Sequence, residues 1–370
     1  MINQNSPEYE KETVILAQID LTTGSIPKTL LRFAFPMICG NLLQQLYNVA
    51  DTLIVGRFLG SDALGAVGSS YTLMTFLTSI LLGLCMGSGA LFSVCWGQRD
   101  LARLRRQTHA AFVLIAVCTV VLNAAAFLLL DAMKTLLSVP AEVWPLMRSY
   151  LFVIFFGIGG TFLYNYYASL LRAVGNSLVP LLFLAASAVL NIALDLVFVL
   201  VCRWGVEGAA AATVLAQWLS GIGTAVYTLV RCPELRARRE ERRITGSMLR
   251  ELLSASVLTC LQQSVMNLGI LMVQGRINSF GPVIMAAFAA AVKIDSFAYM
   301  PLQDFGNAFS TFIAQNYGAQ QPERIRRGIR TAVILSSVFA VCVSACVVLL
   351  AAPLLGLFLQ PGETEILQAG

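Results

Sequence analysis

Long apolar runs are the feature that most restricts what this chain can fold into. A helix needs about 20 predominantly apolar residues to cross roughly 30 Å of hydrocarbon, and runs of this length recur along the sequence. Hydrophobic residues make up 57% of the 370 residues and charged residues only 12%, whereas about a quarter of a soluble domain is charged. The sequence therefore predicts an all-α polytopic membrane protein. Its nine expected spans lie near residues 30–54, 63–95, 109–130, 143–171, 178–202, 208–230, 249–274, 282–316 and 329–352.

The loops between the spans alternate in charge. Arginines cluster in 98–107, 231–250 and 322–330, which hold four, seven and four of them, while the intervening loops carry mostly single cations. Because basic loops stay on the cytoplasmic side, these three loops and the N-terminus are predicted to be cytoplasmic. This topology explains the net charge of +5 without a nucleic-acid partner. The first residues are polar and lack the pattern of a signal peptide.

An internal repeat divides the chain. LQQLYNVADTLIVGR (43–57) resembles LQQSVMNLGILMVQGR (261–276), and GQRDLARLRR (97–106) matches GAQQPERIRR (318–327). Both copies place their basic loop on the same membrane side, so the repeat is parallel, about an axis along the membrane normal. Two such halves usually flank a substrate site near the interface between them.

The repeat predicts the domain organisation and shows that the two halves differ in their number of spans. Six spans precede the central basic linker and only three follow it, whereas a parallel duplication should give six and six. We therefore expect a truncated chain or a misassigned end; the alternative is a genuine nine-span protein. The expected units are a cytoplasmic N-terminal tail (1–28), an N-lobe of six helices (29–231), a basic cytoplasmic linker (232–248) and a partial C-lobe of three helices (249–370).

An aspartate interrupts the first apolar run. Asp51 shares a helical face with Gln44, Tyr47 and Asn48, and a carboxylate in hydrocarbon costs several kcal/mol unless it is compensated. The matching position in the second copy is Ile270, so the shared fold does not require an acid there. This difference favours a functional role for Asp51.

A second acid lies in the fifth span. Asn191 and Asp195 are one helical turn apart on the same face. Two carboxylates with nearby amide and hydroxyl oxygens suit an alkali cation, or a carboxyl pair that binds a proton because two anions cannot share a dry site cheaply. The sequence therefore predicts a cation site for Na⁺ or H⁺. Its expected members are Asp51, Asn165, Asn191, Asp195 and Thr213.

The second half offers further polar residues within spans. Lys293, Asp295 and Asp304 lie in the eighth span, where Pro301 should kink the helix. A structural ion network and a role in substrate binding or gating are both open for these charges. If the chain is cut short, the inner faces of the last spans should expose Gln263 and Asn267. The expected cavity or gating residues are Gln44, Tyr47, Asn48, Gln263, Asn267, Lys293, Asp295 and Asp304.

Five motifs in order resemble the multidrug and toxic compound extrusion (MATE) family. The resemblance runs from about residue 27 to 358. The motifs are FPMICGNLLQQLYNVADTLIVGRFLG, WGQRD, NIALDLVF, GVEGAAAAT and FGNAFSTFIAQNYGA.

The resemblance implies twelve helices in two six-helix lobes that form a V-shaped exporter. Such a protein would be a monomer in the plasma (inner) membrane, without a cofactor. It would use inward movement of Na⁺ or H⁺ to export amphipathic, often cationic drugs or metabolites by alternating access. The family's N-lobe cation site falls on the five residues named above.

The sequence departs from the family in two places. One branch of the family carries a glutamate in the seventh helix, and the corresponding span here (SASVLTCLQQSVMNLGILMVQ) has no acid. The last three helices are also missing, so the chain resembles a family member truncated after the ninth helix.

Two other functions remain open, and one is excluded. A flippase for a lipid-linked glycan precursor would want a cationic central cavity, against which the N-lobe acids argue. A non-transporting truncated remnant is the other alternative. An intramembrane enzyme would need paired DDxxD motifs, a His-rich site or HExxH, and the sequence has none of these.

Overall fold

The computed structural model describes residues 18–136, 142–278, 282–350 and 353. Of those between 268 and 297 it describes the backbone but few of the side chains. The described chain is almost wholly helical, and it contains no β-strand. The helices are α1 (Ile26–Leu59), α2 (Ser61–Gly97), α3 (Leu101–Leu128), α4 (Ala132–Leu136), α5 (Trp144–Ile154), α6 (Ile158–Ala173), α7 (Leu178–Asp195), α8 (Gly205–Arg231), α9 (Gly246–Asn278), α10 (Pro282–Gly318) and α11 (Pro322–Leu349).

Local sequence signals set the helix boundaries. Gly60 ends α1 and precedes α2 with φ 91°, a left-handed value that glycine adopts without a steric penalty. Asp100 caps α3, since its side chain accepts a hydrogen bond of 2.9 Å from the backbone N–H of Arg103. Proline occupies the first turn of α1, α5 and α11, where its missing N–H costs no hydrogen bond.

Six helical segments are long and apolar enough to cross a membrane, counting only described residues. Three further predicted spans, near 30–54, 249–274 and 282–316, form the long helices α1, α9 and α10. Polar and charged side chains such as Asp51 lower the apolar character of α1. The six segments are Asp62–Gly97, Leu101–Leu128, Trp144–Ala173, Leu178–Val201, Gly205–Arg231 and Pro322–Leu349.

Two of the predicted spans are not continuous α-helix. A 3-10 turn, Phe155–Gly157, separates α5 from α6, and a π-helical segment, Leu196–Val201, continues α7. The first interruption lies where α6 meets α8 closely: a Cβ on Gly160 would lie 2.8 Å from the backbone nitrogen of Trp218. Small residues permit this backbone approach between membrane helices.

The first and second halves of the chain meet near one end of the bundle. We call it the basic end, because the arginine-rich segments 98–107, 231–250 and 322–330 lie there. At this end Arg103 of α3 pairs with Glu251 of α9 at 2.5 Å. The Gln315 amide of α10 donates to the carbonyl of Ala173 at 2.7 Å.

Glycines on α2 bring its backbone against α9. A Cβ on Gly83 would lie 2.8 Å from the Cα of Cys260, and one on Gly87 would collide with Ser256. This contact continues toward the basic end, where Gly97 lies against the carbonyl of Gln315. The two halves are therefore closely packed on this side, with little room for larger residues at the contact.

Residues 18–24, which precede α1, form a strap across the basic end. In the first half, the Ile19 N–H donates to the carbonyl of Gly175 at 2.9 Å. In the second half, the guanidinium of Arg324 donates to the carbonyl oxygens of Leu21, Thr23 and Gly24. The side chain of Leu21 is fully buried in an apolar cluster with α1, α10 and α11. The strap is therefore bound to both halves.

Candidate functional site

The two acids of the predicted cation site come close together. Asp51 lies on α1, and Asp195 is the last residue of α7 before the π-helical segment. The charge of Asp51 acts on Asp195, whose side chain is fully buried. Among the described residues, one oxygen of Asp51 and both oxygens of Asp195 are buried without a hydrogen-bond partner. Unpartnered carboxylate oxygens in a dry site are costly, so this pair is suited to a proton or a cation.

Asn191 contributes an oxygen to the same site. Its amide nitrogen donates to the hydroxyl of Thr213 on α8 at 3.3 Å. This bond occupies the donor side of the amide and leaves the Asn191 Oδ1 buried without a partner. Asn191 lies one turn before Asp195, so its free oxygen and the Asp195 carboxylate project from the same helical face. The structure thus brings Asn191, Asp195 and Thr213 together.

The described hydrogen bond of Asn165 lies within its own helix. Its amide nitrogen donates to the carbonyl of Thr161 in its own helix, α6, at 2.9 Å. None of the described hydrogen bonds joins Asn165 to Asp51, Asn191 or Asp195. Its membership of the site therefore stays a prediction.

Tyr150 is a neighbour of the acid pair that the sequence analysis did not identify. It lies on α5, its side chain is buried, and it interacts electrostatically with Asp51, Asp195 and Tyr47. The signal in the sequence is one tyrosine hydroxyl at the start of the apolar stretch YLFVIFF (150–156). Nothing in that stretch indicates which way the ring points, because this depends on how α5 packs.

A polar stripe runs along α1 from the acid pair toward the second half. Asn41, Gln44, Asn48 and Asp51 are spaced by three and four residues, so they share one helical face. Asn48 and Gln44 are half-buried, as is Tyr47, whose ring lies near Asp51. These positions agree with a polar face turned toward protein.

Asp304 on α10 terminates this stripe in the second half. One of its oxygens accepts a hydrogen bond of 2.5 Å from the Asn41 amide, and the other is buried without a partner. Arg172 lies near enough for its charge to act on Asp304, yet no ion pair forms between them. Asn41, like Tyr150, is a residue that the sequence analysis missed.

The remaining candidates of the second half have mixed outcomes. The expectation that Gln263 is exposed is wrong: its side chain is only 8% exposed. The reason is that α9 packs along α2 through the glycine contact at Gly83 and Gly87. Asn267 is half-buried. The side chains of Lys293 and Asp295 lie outside the described residues.

Comparisons with known proteins agree with this architecture. The MatE family model matches residues 36–197 and 255–370. The probable multidrug resistance protein YpnP of Bacillus subtilis is 30% identical over 312 residues, which cover 83% of this chain and 68% of that protein. The FAD transporter of Shewanella oneidensis is 23% identical over 346 residues, with coverage of 91% and 75%.

Solved structures show the same fold. A MOP superfamily transporter from Pyrococcus furiosus superposes with a TM-score of 0.88 at 22% identity, over 95% of this chain and 78% of that one. An outward-facing multidrug resistance MATE transporter gives 0.84 at 23% identity, over 93% and 76%. With the family model matching most of its length, this chain belongs to the MatE family and is a multi-pass membrane transporter, not an enzyme.

Proposed function

We propose that this protein is a cation-coupled antiporter that exports amphipathic, often cationic drugs or metabolites by alternating access. The observation that carries the proposal is the pair of buried acids. Three oxygens of Asp51 and Asp195, together with the Asn191 Oδ1, are buried without partners. This oxygen set suits Na⁺ or a proton as the coupling ion.

The acids give the cation a way to change the conformation. A cation shifts the equilibrium between the outward- and inward-facing states only by as much as its affinity differs between them. In our proposal, a bound cation neutralises the pair and lets α1, α7 and α8 close around it, whereas its departure leaves two anions that repel. One charge that moves down a membrane potential supplies about 2.3 kcal/mol per 100 mV.

The stripe on α1 offers a route from this site to the contact between the halves. A shift of α1 near Asp51 would also move Asn41, which holds Asp304 of the second half. We assign Gln44, Tyr47, Asn48 and Asn267 to the cavity face, and Asp304 to gating.

The orientation follows from the charge of the loops. We place the basic end, with the N-terminal strap, in the cytoplasm of a plasma-membrane protein. The close contact of the halves at this end then corresponds to a state that is closed toward the cytoplasm.

We propose a monomer as the working unit. No observation favours the glycan-precursor flippase or the non-transporting remnant over export.

The test is gradient-driven export from vesicles. We expect Asp51→Asn and Asp195→Asn to abolish export of a fluorescent cationic dye under an imposed Na⁺ or H⁺ gradient, because the neutral amides mimic the occupied state. The matched control is Asp131→Asn, an exposed acid paired with Arg148 outside the site, which should export normally. Near wild-type export by both site variants would show that the pair does not couple transport to the ion.

A further inference from the structure

A cavity at the basic end lies outside the proposed transport site. It has a volume of about 310 Å³, opens to the surface, and is bounded by α3, α6, the end of α8 and the linker that follows α8. Its inner wall is largely apolar and aromatic, with Phe112, Tyr167 and Leu229 among the lining side chains. No acidic residue lines it, and neither Asp51 nor Asp195 contributes to it.

The mouth of this cavity is cationic. Arg236 and Arg242 of the linker line it, and both side chains are exposed. Within the described residues, no carboxylate lies within 4.0 Å of either guanidinium. Two arginines without counter-ions at one opening form a site for an anion.

Two acids of this region are bound to other side chains. Glu241 binds the guanidinium of Arg105 through three hydrogen bonds of 2.7–3.0 Å and also accepts the backbone N–H of Arg238. Glu251 is held by Arg103 and Gln107. Glu234 and Glu240 also lie in the linker, and neither forms an ion pair with Arg236 or Arg242 among the described contacts.

The cavity adjoins a surface suited to lipid chains. On α8, Val226 and Val230 are 53% and 68% exposed, and they share a helical face with the lining residue Leu229. This apolar face leads to the level at which α8 ends and the arginine-rich linker begins. A ligand of this place needs an anionic head at the arginines and an apolar tail toward the bilayer.

We propose that the cavity binds an anionic phospholipid of the leaflet at the basic end. The phosphate lies between Arg236 and Arg242, and the start of an acyl chain lies against Phe112, Tyr167 and Leu229. Basic pockets between transmembrane helices commonly hold lipid head groups in this way. The bound lipid fastens the linker to the N-lobe, a role that does not depend on which ion drives transport.

Native mass spectrometry of the detergent-purified chain tests the proposal. The probes are phosphatidylglycerol and phosphatidylcholine with identical acyl chains. We expect the wild type to retain phosphatidylglycerol preferentially, and the Arg236→Gln/Arg242→Gln variant to lose roughly tenfold or more of this retention. The matched control, Arg239→Gln/Arg243→Gln, makes the same change of charge in the same linker outside the cavity and should keep the preference.

Each alternative outcome overturns the proposal in a different way. Equal losses in both double variants would indicate diffuse attraction by the whole linker. Equal retention of phosphatidylcholine would indicate an apolar groove without an anion site. Displacement of the lipid by inorganic phosphate in hundredfold excess would indicate a site for a free anion. If the double variant does not fold, the single variant Arg242→Gln is compared with Arg243→Gln by the same measurement, and equal retention again counts against the site.

Discussion

The amide of Asn191 shows how one hydrogen bond can prepare a ligand oxygen. Thr213 accepts from the amide nitrogen, so the Oδ1 is turned away from α8 and remains without a partner. A carbonyl-type oxygen held in this orientation needs no reorganisation when a cation arrives. The hydroxyl of Thr213 therefore influences the cation site by orienting the amide of Asn191.

Removal of this hydroxyl is expected to weaken cation coupling without abolishing it. In Thr213→Val the Asn191 amide loses its acceptor and is free to rotate, which costs about 0.5–1.5 kcal/mol and so lowers cation affinity roughly two- to tenfold. The measurement is the Na⁺ or H⁺ concentration that gives half-maximal dye export from vesicles. Thr213→Ser keeps the hydroxyl and should behave as wild type; an equal shift in both variants would contradict this role.

At the scale of elements, the strap is held chiefly by Arg324. Its guanidinium donates to three carbonyls of residues 18–24 and lies over the ring of Phe312 at 5.5 Å. Arg326, two residues away on α11, makes only an exposed pair with Glu323. The two arginines therefore offer a close comparison.

We expect Arg324→Ala to free the strap and Arg326→Ala to leave it in place. Hydrogen–deuterium exchange of the peptide that contains residues 18–24 is the measurement. Exchange should become faster in Arg324→Ala, because its three carbonyl acceptors lose a charged donor that is worth more than a neutral one. Unchanged exchange in this variant would mean that burial of Leu21 and the hydrogen bond from Ile19 to Gly175 hold the strap without Arg324.

The linker is joined to α3 by a contact that depends on pH. Hydrogen bonds from Arg105 hold the pKa of Glu241 below its ordinary value of 4.5. A lowered pKa in the folded state means that the contact is fully stabilising above the ordinary pKa and is lost as pH falls through the folded value. Protection of residues 232–243 against exchange, measured relative to the intrinsic rate at each pH, should therefore fall below pH 4.5 in the wild type. In Glu241→Gln this protection should already be low at pH 7, and a pH response like that of the wild type would contradict this assignment.

At the scale of the whole molecule, the contact of α2 with α9 determines how closely the halves meet. Gly87 has no room for a side chain against Ser256, whereas a Cβ on Gly65 of the same helix would meet no atom within 4 Å. We expect Gly87→Val to push the halves apart at the basic end, and Gly65→Val to have no such effect. Spin labels at positions 99 and 320 would report the separation, and equal distances in the two variants would contradict this prediction.

The sequence predicted the helical architecture well, because the length of each span depends on the thickness of the bilayer and its orientation on the charge of the loops. Neither depends on how the helices pack against one another. The sequence also singled out Asp51, Asn191, Asp195 and Thr213, since ionisable or polar residues in apolar runs are conspicuous; their role as a cation site stays a prediction. It missed the break at Phe155–Gly157, because that follows from how closely α6 approaches α8. Tyr150, and the bond from Asn41 to Asp304, depend on packing between distant segments, which no local pattern records.

The strap also has a consequence for the order in which the protein assembles. Its residues leave the ribosome well before Arg324, which follows Gly24 by 300 residues. At about 5–20 residues per second, the two are separated by roughly 15–60 s of synthesis. During this interval the carbonyls that Arg324 will bind remain hydrated, while the helices of the first half can already insert and pack. Closure of the basic end by the strap therefore cannot be completed until α11 has been made.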